Sequence, residues 1–392
     1  MASAHVLVVG VSTRAAAASA GRAGFRVTSI DGFADLDQHP SVRALSITRD
    51  FGGRFTAAAV ARAARGVDAD AVVYLSPFEN HPVAVARLAR DRMLWGNRPE
   101  TLRRVRNPLL LAESLRRRGF KVPTTFRPSH SHDPNARNDP NDFLVKPLAS
   151  GGGAHIRPWR PPRPVPRRSY VQRRVHGSPG SVVFVAARGR AVPLGVSRQI
   201  VGDPAFGASG YRYCGSILAP PGESDDDRLT VVSSAITLAG AVADEFGLVG
   251  VNGVDFVEQH GEPVALEVNP RWSASMELAE RAFGRPLFAV HADACVTGEL
   301  PALPVAQSAS PVLGKAIVFA RTGSIVGDTE AWLEDPDVRD VPRRGERIAA
   351  GHPVCTVLAA AATAAECHDA LAARAARVYA TLVPDGAGAL SA

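Results

Sequence analysis

The sequence predicts an α/β and α+β chain with a parallel-sheet unit first, antiparallel strands around a glycine loop next, and a small β-rich C-terminal extension. Three observations predict it. Residues 5–98 alternate short apolar runs with Ala/Arg-rich stretches, the rhythm of β-α-β units. Asp142–Arg157 and Gly250–Arg271 each read as strand, tight turn, strand. Residues 311–358 return to short strand-like runs, and the alanine-rich Ala364–Leu382 then reads as one helix.

Taken in order, His5–Gly10 is the first strand, Ala15–Ala23 a helix, Val27–Asp31 a strand, Ala57–Arg65 a helix and Ala71–Leu75 a strand. Gly10-Val11-Ser12-Thr13 joins the first strand to its helix; it lacks a full GxGxxG, so it reads as a tight turn and not as a dinucleotide site. Asn107–Gly119 carries apolar residues at 109, 110, 111, 112 and 115 and ends in Arg116–Arg118, an amphipathic linking helix with cations at its C-terminus. Arg127–Asp142 is polar and proline-containing, hence an exposed loop; its His130, His132 and Asp133 have no rigid scaffold to hold a metal. Arg157–Arg174 is rich in Pro and Arg with Trp159 and Tyr170 interleaved, and reads as a connecting loop, with nucleic-acid contact as the alternative. Thr230–Glu245 is helical, and Val249–Glu258 and Pro263–Val268 are paired strands. The expected divisions are 1–98, 99–185, 186–302 and 303–392.

Composition narrows the function. A length of 392 residues, 46% of them hydrophobic, gives two or three domains with real cores. The net charge is +7, yet only Lys121, Lys146 and Lys315 are lysines among 45 basic side chains, a skew that together with abundant Ala, Gly and Pro reads as codon bias. Acidic residues are spread throughout and no basic run stands alone, which disfavours a nucleic-acid partner. The longest apolar stretches, such as Val354–Ala362, fall far short of the roughly 18 residues of a membrane span. The first residues lack the features of a signal peptide, so the expected location is the cytoplasm. Cys214, Cys295, Cys355 and Cys367 have no metal-site spacing and read as buried free thiols.

Two segments carry chemistry. In Asp142-Phe-Leu-Val-Lys-Pro-Leu-Ala-Ser-Gly-Gly-Gly, a strand ends near a rare lysine, Lys146, and then opens into Gly151, Gly152 and Gly153. Backbone amides in such a turn approach phosphate oxygens unhindered while the ammonium supplies a point charge; an ordinary glycine hairpin is the alternative. In Gly250–Arg271, alternation puts Glu267 and Asn269 on one strand face, and hairpin pairing brings Asp255 beside them. Three hard oxygens suit magnesium held jointly with substrate phosphates. Simple pairing of the two carboxylates with Arg271 or other arginines is the competing reading.

In this order and spacing the two segments resemble the ATP-grasp superfamily of carboxylate-amine ligases, over residues 1 to about 300. Ser169–Gly177 resembles the family's hinge strand under the adenine, and Glu267-Val-Asn-Pro-Arg271 is the most specific piece. More narrowly, Gly177–Ser181, Ser197–Gly202, Gly210–Ser216 and Gly351–Thr356 resemble the ATP-grasp proteins of tetrahydromethanopterin-linked C1 metabolism, which are similar to the tyramine-glutamate ligase of methanofuran biosynthesis. The resemblance implies an ATP-grasp fold behind a pre-ATP-grasp parallel sheet, with ATP and Mg2+ (or Mn2+) as cofactors. It further implies that Lys146 contacts the phosphates, Gly151–Gly153 close over them, and Gln172–Val175 border the adenine through backbone groups. Asp255, Glu267 and Asn269 would hold the metal, and Arg271 would stabilise the transferring phosphoryl group. At the start of the linking helix, where such families often place a second phosphate-binding lysine, this chain has Asn107-Pro108-Leu109, with Arg104 and Arg106 as nearby substitutes. The hinge carries Arg173 and Arg174 where many relatives have an acidic residue. Arg198, Arg212 and Tyr213 are the candidates for receiving an anionic substrate.

The implied activity is activation of a carboxylate by ATP and amide formation with an amine, with glutamate or a similar amino acid added to a C1-carrier precursor. The partners are then small-molecule substrates, without nucleic acid or membrane, and a homodimer is common in such ligases. An ATP-grasp carboxylase or small-molecule kinase is one alternative; a non-catalytic nucleotide- or nucleic-acid-binding protein is another.

Overall fold

The computed structural model describes residues 4–127, 142–161, 163–218, 226–302 and 311–385. Its first sheet has five strands in the order Val42–Ser46, Arg26–Asp31, His5–Val9, Ala71–Tyr74 and Met93–Leu94, every pair parallel. The central strand is apolar on both faces because both are covered. Val6 and Val8 pack against the helix Arg14–Arg22, while Leu7 and Val9 pack against the helices Ala57–Ala63 and Pro82–Leu88. The Gly10–Thr13 segment is the tight turn expected: a Cβ on Gly10 would lie 2.7 Å from Cβ of Leu75. The Asp31 carboxylate organises that end of the sheet, accepting from Thr13 N at 3.0 Å, Thr13 Oγ1 at 2.6 Å, Phe33 N at 2.9 Å and Ala34 N at 2.7 Å.

The linking helix runs Pro108–Arg117, with the Asn107 side chain accepting from Leu109 N and Leu110 N at its start. It leads to a small antiparallel sheet ordered Thr125–Phe126, Ser169–Arg173, Phe143–Pro147 and Arg157–Pro158. Here Arg157–Arg174 departs from a simple loop, since both its ends are strands. Trp159 and Tyr170 are each 5% exposed, and Trp159 stands edge-on to Phe126 at 5.7 Å and Phe143 at 6.0 Å. The interleaved aromatics are core, with no open ring face for a base. The loop containing His130, His132 and Asp133 lies outside the described residues.

The largest sheet has eight antiparallel strands ordered Glu262–Asn269, Gly250–Gln259, Ser178–Ala187, Arg190–Val201, Tyr213–Leu218, Val312–Phe319, Pro353–Ala361 and Val338–Arg339. It runs unbroken through the division expected at 302/303, because Val312–Phe319 pairs with Tyr213–Leu218; the 185/186 division falls inside a strand. One sheet face packs Val182, Phe184 and Val254 against the helix Asp226–Phe246 and against Leu111 and Leu115 of the linking helix. The other face packs Val183, Val185 and Val251 against Trp272, Met276 and Phe288, and carries polar residues only in part, around Ser181, Gln199 and Asp255. The last helix, Ala364–Thr381, begins with a Thr363/Glu366 capping box. All four cysteines are free, three of them buried. Among the described residues no helix is long and apolar enough to cross a membrane.

Phe184, fully buried between the main sheet and its covering helices, tests this packing. We expect Phe184→Ala to cost about 3–5 kcal/mol in chemical denaturation; a loss below about 1 kcal/mol would show that the sheet and helix faces do not form one core.

Candidate active site

Hairpin register builds the centre of the site. Asp255 stands opposite Glu267, and Gly253 opposite Asn269, so three oxygen-bearing side chains share one face as the sequence pattern predicts. Asn269 Nδ2 donates to Asp255 Oδ2 at 2.8 Å, and Gln199 Nε2 donates to Asp255 Oδ1 at 2.9 Å. Burial and the adjacent Glu267 charge push the Asp255 carboxyl up to about 6, against hydrogen bonds from Ser181 and Asn269. Two neighbouring carboxylates facing across the hairpin fit a divalent cation. Among the described residues no three His, Cys, Asp or Glu side chains group as a metal site. The donor set is therefore a two-carboxylate one, which suits magnesium sharing its remaining positions with water and phosphate oxygens. Asn269 is less free, because its Oδ1 accepts from Arg271 at 3.0 Å.

Lys146 reaches this centre from the small sheet. Its buried ammonium donates to Gln172 Oε1 at 2.9 Å and lies 6.0 Å from the Tyr170 ring centroid. Burial lowers the Lys146 pKa, and Arg106 adds to that, while Glu267 and Asp255 oppose it. An anion placed there relieves the penalty. Gln172 differs from expectation: its side chain, anchored to Thr125 Oγ1 at 3.2 Å, aims Lys146, so its contribution is a side-chain contact and not only backbone bordering.

The glycine loop docks on the opposite wall. Gly152 O accepts from Tyr213 N at 3.0 Å. Gly153 has φ +74, and a Cβ there would sit 1.7 Å from the Tyr211 carbonyl oxygen, so only glycine fits. Gly151 and Gly152 are exposed, with room above them.

Two arginines close the ring. Arg271 pairs with Glu79 at 2.9 Å, and Glu79 is 1% exposed. Although burial works against ionisation of Glu79, Arg271 and Arg106 outweigh it and hold its pKa below the usual range. Arg106 donates to Glu267 Oε2 at 3.3 Å, Val268 O at 3.0 Å and Ser150 O at 3.2 Å. Between the two substitutes for the missing lysine, the structure thus selects Arg106; Arg104 turns to the Phe246 ring and Glu245 O. Glu79 went unread in the sequence because it comes from a segment without a motif, and Gln199 because attention in Ser197–Gly202 fell on its neighbour Arg198. Gln199 had one signal, its place two residues after Ser197 on a strand whose alternate side chains are polar.

The substrate candidates divide. Tyr213 is in the site, its hydroxyl 2.9 Å from Ser216 Oγ and its pKa raised by burial and by Asp255. Arg198 is a correction: it is exposed and out of phase with Gln199, so strand alternation places it on the far face of the sheet. Arg212 is another, since its guanidinium donates to Gly351 O at 2.7 Å and lies 4.8 Å from the Phe319 ring, tying a loop to the C-terminal strands. Val175 lines a cleft of about 520 Å³ between the hinge and the end of the linking helix, together with Phe120, Val122, Asp142 and Arg174. There Asp142 pairs with Arg173 at 2.8 Å.

Residues 105–275, which hold Lys146, the glycine loop, Asp255, Glu267, Asn269 and Arg271, match the family model of the ATP-grasp domain. The fold is ATP-grasp. Pyruvate carboxylase of Rhizobium etli, solved with acetyl coenzyme A, superposes with TM-score 0.73 and 14% identity over 97% of this chain, which spans only 37% of that enzyme. The L-amino acid ligase of Bacillus licheniformis gives TM-score 0.67 and 15% identity, over 98% of this chain and 100% of that one. The biotin carboxylase domain of Hydrogenobacter thermophilus 2-oxoglutarate carboxylase, solved with MgADP, ADP and bicarbonate, gives 0.69 and 14%, over 97% and 90%. At these identities the likeness is one of ATP-grasp architecture. No curated protein matches the sequence.

The Glu79–Arg271 pair is the buried support of this site. Removing one partner strands a buried charge, so Glu79→Ala is expected to cost about 3–5 kcal/mol in urea unfolding; a cost under 1 kcal/mol would show that Arg271 is held by other means.

Proposed function

We propose that this chain is an ATP-dependent, ADP-forming ligase that joins a carboxylate to an amine. The observation that carries the reading is the convergence of Lys146, Arg106 and Arg271 around Asp255 and Glu267, beneath a glycine loop. Asp255 and Glu267, with Asn269 reoriented from Arg271, would hold a magnesium ion, which would supply neutralisation of phosphate charge. Lys146 and the amides of Gly151 and Gly152 receive the phosphates, Arg106 adds charge beside them, and Arg271 faces the phosphoryl group in transfer. A substrate carboxylate oxygen attacks the terminal phosphorus as the bond to ADP breaks; amine nitrogen then attacks the acyl carbon, phosphate leaves, and the nitrogen gives up a proton. Val175 borders the adenine cleft. The narrower reading, addition of glutamate or a similar amino acid in making a C1 carrier, rests on the sequence resemblance alone. A cytoplasmic enzyme is part of this proposal.

A carboxylase is the second reading, favoured by the likeness to two biotin-dependent carboxylase folds. ADP release is the test, measured over pairs of amino acids and amines and separately with bicarbonate. Release stimulated by an acid–amine pair, with an amide detected by mass, supports the ligase; release needing bicarbonate supports the carboxylase; release with no pair sinks the ligase. With a productive pair, Lys146→Ala and Glu267→Gln should each lower turnover at least 100-fold, about 2.7 kcal/mol of barrier, with circular dichroism unchanged. Retained turnover in either refutes its role.

A further inference from the structure

Asn80 stands where three parts of the site meet. It closes the short turn Phe78–Asn80 that follows the parallel strand Ala71–Tyr74, one residue beyond the Glu79 that holds Arg271. Its backbone is pinned there, with Asn80 N donating to Pro77 O at 3.0 Å. From that base the half-buried side chain reaches two other elements. Its Oδ1 accepts from Arg106 Nε at 3.2 Å and from Arg106 Nη2 at 3.1 Å, while its Nδ2 donates to Ser150 O at 3.3 Å. Arg106 Nη2 donates to the same Ser150 oxygen at 3.2 Å, which closes a triangle.

Partner chemistry fixes which end of the amide is which, because a guanidinium only donates and a carbonyl only accepts. The triangle needs an acceptor and a donor on separate atoms of one short side chain, which is what an asparagine amide supplies. Ser150 immediately precedes Gly151, and a Cβ on Gly151 would lie 3.7 Å from Ser76 Oγ, so the loop begins against this same turn. The glycine loop is thus held at both ends, at Ser150 by Asn80 and Arg106 and at Gly152 by Tyr213 N. Arg106 is held from two sides as well. Its Nη1 is committed to Glu267 and Val268 O, and its Nε and Nη2 form the edge that Asn80 sets. The loop's resting place and the plane of the guanidinium therefore depend on one side chain.

We infer that Asn80 is a positioning residue that couples the seat of the glycine loop to the aim of Arg106. Two adjacent residues of one turn in the parallel-sheet unit, Glu79 and Asn80, then hold the two arginines of the site. The inference deepens the ligase reading and rests on it for what Arg106 does beside phosphate.

The test separates the coupling from the reaction. The Tyr213 amide reports the loop without turnover, since its hydrogen bond to Gly152 O exists only while the loop is docked. Hydrogen exchange at that amide is followed by mass spectrometry in the full chain, as wild type, Asn80→Ala and Asn80→Asp. Aspartate keeps an acceptor for Arg106 but has no donor for Ser150 O. Both variants should therefore exchange at least fivefold faster at Tyr213, with the strand Ser178–Ala187 exchanging as in the wild type. Unchanged exchange at Tyr213 in either variant overturns the coupling, and so does an equal acceleration in that strand, the mark of a chain that is merely destabilised. With a productive acid–amine pair, N80A should lower kcat at least tenfold while KM for ATP stays within threefold. Unchanged turnover, or a loss carried by KM alone, overturns the positioning role. A chain whose Tyr213 amide is released in both variants but that frees no ADP with any pair would keep the coupling and lose the ligase.

Discussion

Like charges held side by side at a half-buried sheet face must be met by positive charge from elsewhere, and Asp255 facing Glu267 imposes that requirement on the whole chain. Neither strand can supply it. Arg106 comes from the end of the helix Pro99–Val105, Lys146 from the small sheet, and Arg271 from the turn after the second strand. Each cation needs its own support, so Gln172 holds Lys146 while Glu79, on the turn after a parallel strand, holds Arg271. The parallel sheet, the small sheet and the largest sheet are thereby tied together at one point by electrostatics as well as by packing.

Much of this was legible in the sequence because it obeys period two or stands out by rarity. The Asp255, Glu267 and Asn269 face follows from alternation plus a short turn, and Lys146 was visible as one of three lysines. What escaped is of two kinds. Glu79 meets the site only through tertiary packing, so no local pattern marks it, while Gln199 is marked only by its phase with Ser197. Arg198 shows the reverse error: an arginine in a suggestive segment, one residue out of phase with the face that matters. A slip of one residue on a strand is a change of side, which composition cannot reveal.

The C-terminal strands show a related limit. As short apolar runs they read as an appended unit, yet hydrogen bonding makes them the continuation of the main sheet. Lys315, without an evident role in the sequence, belongs to that continuation and reaches back to Glu277, which Arg14 of the first helix also holds. Residues from both ends of the chain thus meet beside the Asp255 face, and the sheet's continuity is what brings them there.

The fit at Gly153 has a last consequence. A hydrogen atom is the largest substituent that position admits while the loop rests on Tyr211, so the spacing between the glycine loop and the main sheet is set by backbone alone. Side chains adapt to whatever is bound by changing rotamer, whereas two backbones in contact have no such slack. The loop therefore has a mechanical stop: backbone against backbone sets how closely the glycine turn can settle onto the Tyr211–Tyr213 segment that leads into the main sheet.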